Sequence, residues 1–372
     1  MIEFKMPALG SDMDEGTLDE WLVKPGDVVH RGQVVAVVET TKAAVEVECW
    51  HDGTVGELLV PVGQTVTVGT PLATLIEAGE TAGAPARETL PASPAHRRWV
   101  SPAARRAALA RQVDLDAVTG TGPQGSVTIG DVERAAVPGP RVRAPVAGDR
   151  GVQMRKSIAA AMGRSKREIP HYYLSEEVDM DAALAWMSVF NAERSITDRV
   201  LPAALMIKAV GLAALQVPEV NGFWRDDEFH PGDGVHVGVA ISLRGGGLVA
   251  PAIHDVPGKK IGELMADLGD LVARARAGSL RSSEMSDPTI TVTNLGDQGV
   301  DTVFGVIYPP QVALVGFGAP AQRVRAVDGG IRIATTVHAT LAADHRVSDG
   351  HRGARFLAAV GEMLQQPHTL EG

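Results

Sequence analysis

Two stretches rich in alanine and proline divide the 372-residue chain into three segments. They are residues 78–97 (AGETAGAPARETLPASPAHR) and residues 137–149 (VPGPRVRAPVAGD). Neither stretch has periodic apolar residues, so neither can bury enough apolar surface to offset the entropy cost of ordering. We therefore predict three folded segments, residues 1–77, 98–136 and 150–372, joined by two linkers that are mobile or readily cleaved.

The overall composition excludes several classes of protein. The formal net charge of −10 argues against a protein that binds nucleic acid through phosphate contacts. No run of 18 apolar residues is present, so we expect no membrane span and no membrane partner. The N-terminal sequence MIEFKMPALG resembles neither a signal peptide nor a transit peptide, which predicts a cytoplasmic location. One cysteine, Cys49, excludes a disulfide framework, and the 11 histidines lack metal-ligand spacing.

The first segment contains an internal repeat. Residues 16–39 align with residues 53–76 at an offset of 37, and each copy has glycines at matching positions. Short runs that alternate apolar and polar residues, separated by glycine turns, are typical of β-strands. The repeat predicts an all-β barrel or sandwich with pseudo-twofold symmetry, in which residues 40–43 form a tight turn at one end. Residues 1–77 hold 4 Lys/Arg and 13 Asp/Glu, a net charge of −9.

The predicted turn carries Lys42 in the sequence Glu39-Thr40-Thr41-Lys42-Ala43. In this sequence the segment resembles a lipoyl domain, whose signature is an acidic residue, Thr, any residue, and then Lys-Ala in a β-turn. Many members have Asp where Thr41 stands. The resemblance implies that lipoate is covalently bound to Lys42. Biotin carriers share this fold, but methionines bracket their lysine and none flanks Lys42, so a biotin-dependent carrier is disfavoured.

The second segment predicts two short helices around a glycine-rich loop, GTGPQG at residues 120–125. Ser101 and Pro102 are typical of the start of a helix. The pattern resembles the peripheral subunit-binding domain of 2-oxo acid dehydrogenase complexes, a small all-α domain. That resemblance implies that Arg105 and Arg106 bind acidic surfaces of partner enzymes. Ser126 stands where many members have another arginine, so the partner and its affinity stay open.

The third segment mixes helical and strand patterns, which favours an α/β two-layer fold with helices on one face of a mixed sheet. The predicted helices are 155–167, 180–194, 201–216, 259–277 and 350–365. The predicted strands are 235–243, 248–253, 289–293, 312–316 and 331–341.

One motif in this segment stands out for its chemistry, HRVSDG at residues 345–350, between a predicted strand and a predicted helix. A histidine at such a junction can point into a cleft, and Asp349 is placed to cap the helix. With this motif the segment resembles the catalytic domain of dihydrolipoamide acyltransferases, which is related in fold to chloramphenicol acetyltransferase. Three further stretches match family motifs: RKSIAAAMGRSKREIPHYYL (155–174), TITVTNLG (289–296) and PPQVALVGFG (309–318).

The resemblance implies a residue-level mechanism for acyl transfer to or from coenzyme A. A thiol with a pKa near 8.5 is a poor nucleophile until it is deprotonated, and an imidazole is a suitable base. His345 is the implied base, Thr293 the implied hydrogen-bond donor to the oxyanion, and Asp349 the residue that orders the loop, with Arg155 as a candidate ionic partner. His171 is a candidate for the substrate channel, as is Asn221, but a core or interface role is equally open for both.

The family resemblance also implies an assembly. Members build the site between adjacent subunits of a homotrimer, and trimers form a larger core that holds a thiamine-diphosphate-dependent decarboxylase and dihydrolipoamide dehydrogenase. The acyl group is left open among acetyl, from pyruvate or acetoin, and branched acyl groups, with acetyl favoured. A second hypothesis is a non-catalytic lipoyl-bearing scaffold of such a complex, which the presence of His345, Asp349 and Thr293 disfavours.

Overall fold

The computed structural model describes the first and third segments almost completely. The described residues are 2–9, 15–40, 44–76, 147–243, 247–327 and 329–371, with 104, 108, 121–122, 126–128 and 130–132 in the second segment. Contacts between Cα atoms group residues 1–80 and 150–372 into one unit and residues 81–149 into another. Lys42, Arg105, Arg106, residues 78–97 and residues 137–146 lie outside the described residues.

The first segment folds into eight strands around one apolar core. They are β1 (Ile2–Lys5), β2 (Glu15–Trp21), β3 (Val28–Val29), β4 (Gln33–Glu39), β5 (Ala44–Cys49), β6 (Gly53–Leu58), β7 (Thr65–Thr67) and β8 (Pro71–Ile76). One sheet has the strand order β1-β8-β6-β3, and a second sheet contains β5-β4-β2-β7. In the repeat, β2, β3 and β4 correspond to β6, β7 and β8. Replacing each strand by its repeat partner converts the order β8-β6-β3 of the first sheet into the order β4-β2-β7 of the second. The predicted sandwich with pseudo-twofold symmetry is confirmed.

The glycine turns of the first segment also follow the repeat. Gly26 has a φ of 95° and its repeat partner Gly63 a φ of 88°, while Gly32 and Gly69 have 83° and 87°. Glycine adopts this left-handed conformation without the steric cost that a Cβ would add. The matched glycines therefore place the turns identically in both halves.

The described part of the second segment is organised by Asp131. Its carboxylate accepts hydrogen bonds from the hydroxyl and the N–H of Thr121, at 2.6 and 3.0 Å, and from the N–H and hydroxyl of Thr128, at 2.9 and 2.8 Å. These bonds hold the pKa of Asp131 below its ordinary value. The N–H of Gly122 donates to the carbonyl of Ser126 at 2.9 Å, so the glycine-rich loop is closed on itself.

The third segment contains six helices within its described ranges, and none of the described helices is long and apolar enough to cross a bilayer. They are α1 (Ala147–Glu168), α2 (Asp181–Ala192), α3 (Pro202–Gln216), α4 (Ile261–Ala277), α5 (Ser282–Ser286) and α6 (Gly350–Gln365). The five predicted helices are present as α1 to α4 and α6. The first begins eight residues earlier than expected, within the last residues assigned to the second linker.

All strands of the third segment except β16 (Leu280–Arg281) form one large mixed sheet and two small ribbons, and β16 pairs with β5 of the first segment. The strands are β9 (His171–Asp179), β10 (Gly222–Arg225), β11 (Glu228–Pro231), β12 (Val237–Val239), β13 (Ile241–Ser242), β14 (Leu248–Val249), β15 (Ala252–Ile253), β16 (Leu280–Arg281), β17 (Ile290–Asn294), β18 (Ala313–Phe317), β19 (Ala321–Val327) and β20 (Gly330–Asp344). The large sheet has the order β15-β12-β17-β18-β20-β19, and β9 also pairs with β20. The strands β12, β17 and β18 run parallel, and the other pairs are antiparallel.

Helices pack on this sheet as the two-layer prediction requires. α6 contacts β9 and β20, and α3 contacts α6. The predicted single strands 235–243 and 248–253 are each divided in two, because β12 and β15 join the large sheet whereas β13 and β14 pair only with each other. The ribbon β10–β11 and the edge strand β19 were not predicted from the pattern, since their side chains are largely exposed and show little apolar alternation.

Candidate active site

His345 lies in the turn that connects β20 to α6. Its backbone N–H donates to the carbonyl of Pro170 at 3.0 Å, which ties the turn to the start of β9. The turn is also fixed by Asp344, which is fully buried and accepts from Nε of Arg346 at 3.0 Å and from Nη2 at 2.6 Å. The backbone around His345 is thus held from both sides.

The His345 side chain itself is exposed and has one aromatic neighbour. The ring of Tyr172 meets the imidazole edge-on, with centroids 5.2 Å apart and planes at 64°. The hydroxyl groups of Tyr172 and Ser348 are hydrogen-bonded at 2.9 Å. Burial raises the pKa of the Tyr172 phenol, and the hydrogen bond to Ser348 fixes the position of its ring. Tyr172 and Ser348 both lie within motifs that the sequence identified, but only the fold shows that they meet.

Asp349 caps helix α6, as predicted. Its carboxylate accepts from the N–H of Arg352 at 2.9 Å, and this bond lowers the pKa of Asp349. Among the described residues no ion pair joins Arg155 to Asp349, so the candidate ionic partner is not seen in a single chain. Asp349 therefore fixes the start of α6, which follows the turn of His345.

Thr293 lies elsewhere on the sheet. It is half-buried near the end of β17, at the register position of Gly316 in β18, which in turn faces Thr340 in β20. Thr340 precedes His345 by five residues, or roughly 16 Å along a strand, and two strand spacings add roughly 10 Å sideways. One chain therefore does not bring Thr293 and His345 together.

The two residues for which the sequence left a channel role open make internal contacts. The Nδ1 of His171 lies 2.9 Å from the carbonyl of Ile169, and its Nε2 accepts from the N–H of Ile307 at 3.2 Å. Burial lowers the pKa of His171, which favours the neutral ring that this pair of bonds requires. Asn221 donates to the carbonyl of Gly234 and accepts from the hydroxyl of Thr289. Both side chains connect separate parts of the chain.

A cavity of about 530 Å³ lies next to the turn of His345. Arg346 forms part of its wall, with the guanidinium carbon 4.6 Å from the centre of the Trp224 ring. Arg225, Tyr308 and Gln311 also line it. Three arginines in the lining, Arg164, Arg225 and Arg346, outnumber the one carboxylate, Glu168, so the cavity suits an anionic ligand. The one sequence feature that indicates this cavity is Arg346, which lies within HRVSDG.

The connection in which the sequence predicts lipoate attachment lies between two paired strands. β4 and β5 are antiparallel, and their last register pair is Glu39 with Ala44, so residues 40–43 connect the strands at one end of the sandwich. Lys42 is among these four residues and lies outside those that the structure describes.

Comparison with family models covers all three segments. The model described as 2-oxoacid dehydrogenases acyltransferase (catalytic domain) matches residues 150–371. The model of biotin and lipoyl attachment domains, described as "Biotin-requiring enzyme", matches residues 2–75, and the e3 binding domain model matches residues 98–133. The chain belongs to the 2-oxoacid dehydrogenase acyltransferase family, and is an acyltransferase with a lipoyl module and a binding module.

Relatives and solved structures agree with this membership. The chain is 31% identical to the dihydrolipoyllysine-residue acetyltransferase component of the pyruvate dehydrogenase complex of Zymomonas mobilis, over 98% of both chains. The corresponding component of Rhizobium meliloti is 32% identical, also over 98% of both. Among structures, a probable dihydrolipoamide acetyltransferase of Listeria monocytogenes matches with a TM-score of 0.55 and 28% identity, over 60% of this chain and 94% of that one. A truncated catalytic core from Thermoplasma acidophilum matches with a TM-score of 0.52 and 25% identity, over 57% and 95%.

Proposed function

We propose that this acyltransferase moves an acetyl group between lipoate bound to Lys42 and the thiol of coenzyme A, within a pyruvate dehydrogenase complex. The observation that carries the proposal is the exposed His345 on a rigid turn, in a chain whose relatives over 98% of its length are acetyltransferase components of that complex. When bound, lipoate supplies a dithiol that carries the acyl group as a thioester.

The chain's own residues account for the chemistry as follows. His345 removes the proton of the attacking thiol, since only the thiolate is an effective nucleophile. Cys49 does not provide that thiol, because it is buried in the core of the first segment and burial raises its pKa. The Thr293 hydroxyl donates to the oxyanion that forms at the thioester carbonyl, a contribution of about 2.7–4 kcal/mol. Asp349 keeps the turn of His345 in place through the helix cap.

The separation of Thr293 from His345 supports an active site shared between copies. In this proposal, Thr293 of one subunit faces His345 of the next in a homotrimer, and trimers build the core of the complex. Large apolar side chains on the β19–β20 ribbon support association, because Val324, Ile331 and Ile333 are 71%, 82% and 66% exposed. The 530 Å³ cavity beside Arg346 is the candidate place for coenzyme A, whose phosphates suit the arginines there.

The second segment is proposed to bind the decarboxylase and dihydrolipoamide dehydrogenase through Arg105 and Arg106. The match to the e3 binding domain model supports this assignment. A cytoplasmic location stays a prediction: the relatives are mostly bacterial, and a Neurospora crassa relative is named as mitochondrial.

Two measurements on the full chain test the proposal. The chain should transfer acetyl from acetyl-coenzyme A to free dihydrolipoamide, faster than it transfers branched acyl groups. No transfer with any donor would favour the non-catalytic scaffold instead. Intact mass of the chain from a lipoylating host should show one lipoyl group, and Lys42→Arg should remove it while Lys24→Arg, in the same module, leaves it in place.

A further inference from the structure

The lipoyl module is paired with the catalytic segment through a shared sheet. β5 is the edge strand of its own module, and β16 from the catalytic segment lies beside it in parallel. Leu280 is at the register position of Val45, and Arg281 at that of Glu46. An exposed sheet edge presents unpaired backbone groups and is a natural template for an added strand. The sequence showed no sign of this pairing.

Glu48 shows that the contact is specific. Side chains alternate along β5, so that Val45, Val47 and Cys49 enter the core of the lipoyl module and Glu48 points outward. An outward carboxylate on an isolated module would be exposed, yet Glu48 is only 7% exposed. The covering residues are Ser282 and Ser283 of α5 in the catalytic segment.

Three hydrogen bonds join these residues. The N–H of Glu48 donates to the hydroxyl of Ser282 at 3.1 Å. The same hydroxyl donates to the Glu48 carboxylate at 3.3 Å. The N–H of Ser283 donates to the same carboxylate oxygen at 3.2 Å. A buried carboxylate needs such donors, because an unsatisfied charge would be costly away from water.

The catalytic side of the contact is held in place by its own residues. The Glu284 carboxylate accepts from Arg274 at 2.6 Å and from the N–H of Arg281 at 2.8 Å. Both bonds lie within the catalytic segment, so they hold the start of α5 without any contribution from the lipoyl module.

The contact is also suited to release. Leu280 belongs to the apolar core of the catalytic segment, while Val45 and Val47 belong to the separate core of the lipoyl module. Separation thus leaves both cores closed, and the Glu48 carboxylate, the two serines and the backbone groups that it frees can all be solvated by water. A permanent domain interface would share apolar side chains.

We propose that residues 280–283 are a docking site for the lipoyl module of the same chain, which holds the module on the catalytic segment and releases it reversibly. Glu48 is the residue of the module that the site recognises. The inference concerns the position of the module and does not depend on which acyl group is transferred.

Hydrogen exchange of the full chain tests reversibility. The N–H groups of Glu48 and Ser283 should exchange together, at a rate faster than that of amides in the module core such as Val38, which is paired on both sides. Glu48→Gln should speed exchange at Ser283 by about tenfold, since a charged acceptor is replaced by a neutral one. Ser282→Ala should do the same at Glu48. Glu57→Gln removes an exposed carboxylate from the same module and should change neither rate.

Each other result counts against the proposal. If the amides of Glu48 and Ser283 exchange only as slowly as the amides of the module core, the contact is permanent. Unchanged exchange in both Glu48→Gln and Ser282→Ala would show that these bonds do not hold the module.

A disulfide tests which chain docks. Glu46→Cys with Arg281→Cys, in a Cys49→Ala background, places two thiols at register partners about 5 Å apart at Cα, within disulfide range. Oxidation should give an internally cross-linked monomer on a denaturing gel. Cross-linked dimers or trimers would show that the module docks on a neighbouring copy. The absence of any cross-link would show that residues 280–283 are not a docking site.

Discussion

At the scale of single residues, His345 is positioned by its backbone and by Tyr172 rather than by a charged partner. His345→Ala should lower the rate of acetyl transfer by about 10²–10⁴-fold, the usual effect of removing a positioned acid–base group. Raising the pH should partly restore the rate, because more of the substrate thiol is then ionised. His351→Ala is the matched control, since His351 is an exposed histidine six residues further along. A His345→Ala rate near that of the unchanged chain would refute the proposed base.

Thr293 is predicted to act only when the oxyanion forms. Thr293→Ala should therefore reduce kcat by about 10²–10³-fold while the affinity for coenzyme A stays nearly constant. Thr293→Ser should keep most of the activity, because the hydroxyl survives. Steady-state kinetics with a separate measurement of coenzyme A binding distinguishes the two effects. Equal losses in Thr293→Ala and Thr293→Ser would point to packing rather than to a hydrogen bond.

At the scale of elements, two histidines tie strands and loops together with opposite dependence on pH. Burial lowers the pKa of His171, so protonation favours the unfolded chain, and the stability that His171 provides is present above pH 6.5 and is lost as the pH falls below it. The hydrogen bond from His254 to Asp287 raises the pKa of His254, so its contribution is present below pH 6.5 and is lost as the pH rises through the folded-state pKa.

Melting temperatures between pH 5.5 and pH 8 check this pair. The destabilisation caused by His171→Asn should be larger at pH 8 than at pH 5.5, and that caused by His254→Asn should be larger at pH 5.5. Each variant serves as the control for the other, since both remove one histidine from the same segment. The same slope in both variants would contradict the assigned pKa directions.

At the scale of the whole molecule, the distance between Thr293 and His345 within one chain predicts complementation between subunits. Chains with His345→Ala and chains with Thr293→Ala should each be inactive alone. Co-expressed in mixed assemblies, they should recover about a quarter of the full rate, because random mixing leaves that share of subunit contacts with both residues intact. Recovery should vanish if the two substitutions are placed in the same chain and mixed with chains that carry Thr293→Ala. No recovery in the first mixture would place the site within one chain.

The repeat of the lipoyl module, the helices of the catalytic segment and the HRVSDG turn could be predicted from the sequence alone, and the division into three segments stays a prediction. These features depend on spacing within short windows, such as the 37-residue offset that sets Gly26 and Gly63 in equivalent turns. The cap at Asp349 is of the same kind, because a capping residue and the N–H that it accepts from are three positions apart.

Which distant residues meet depends on the tertiary fold. Thr293 is separated from His345 because the register of β17, β18 and β20 places them at different levels of the sheet, and no local pattern encodes that register. Glu48 reads as a solvated residue in its strand, but α5 covers it from 234 positions away. Burial and pairing across a sheet are set by long-range packing, so the separation of Thr293 from His345 and the cover over Glu48 could be seen only in the folded chain.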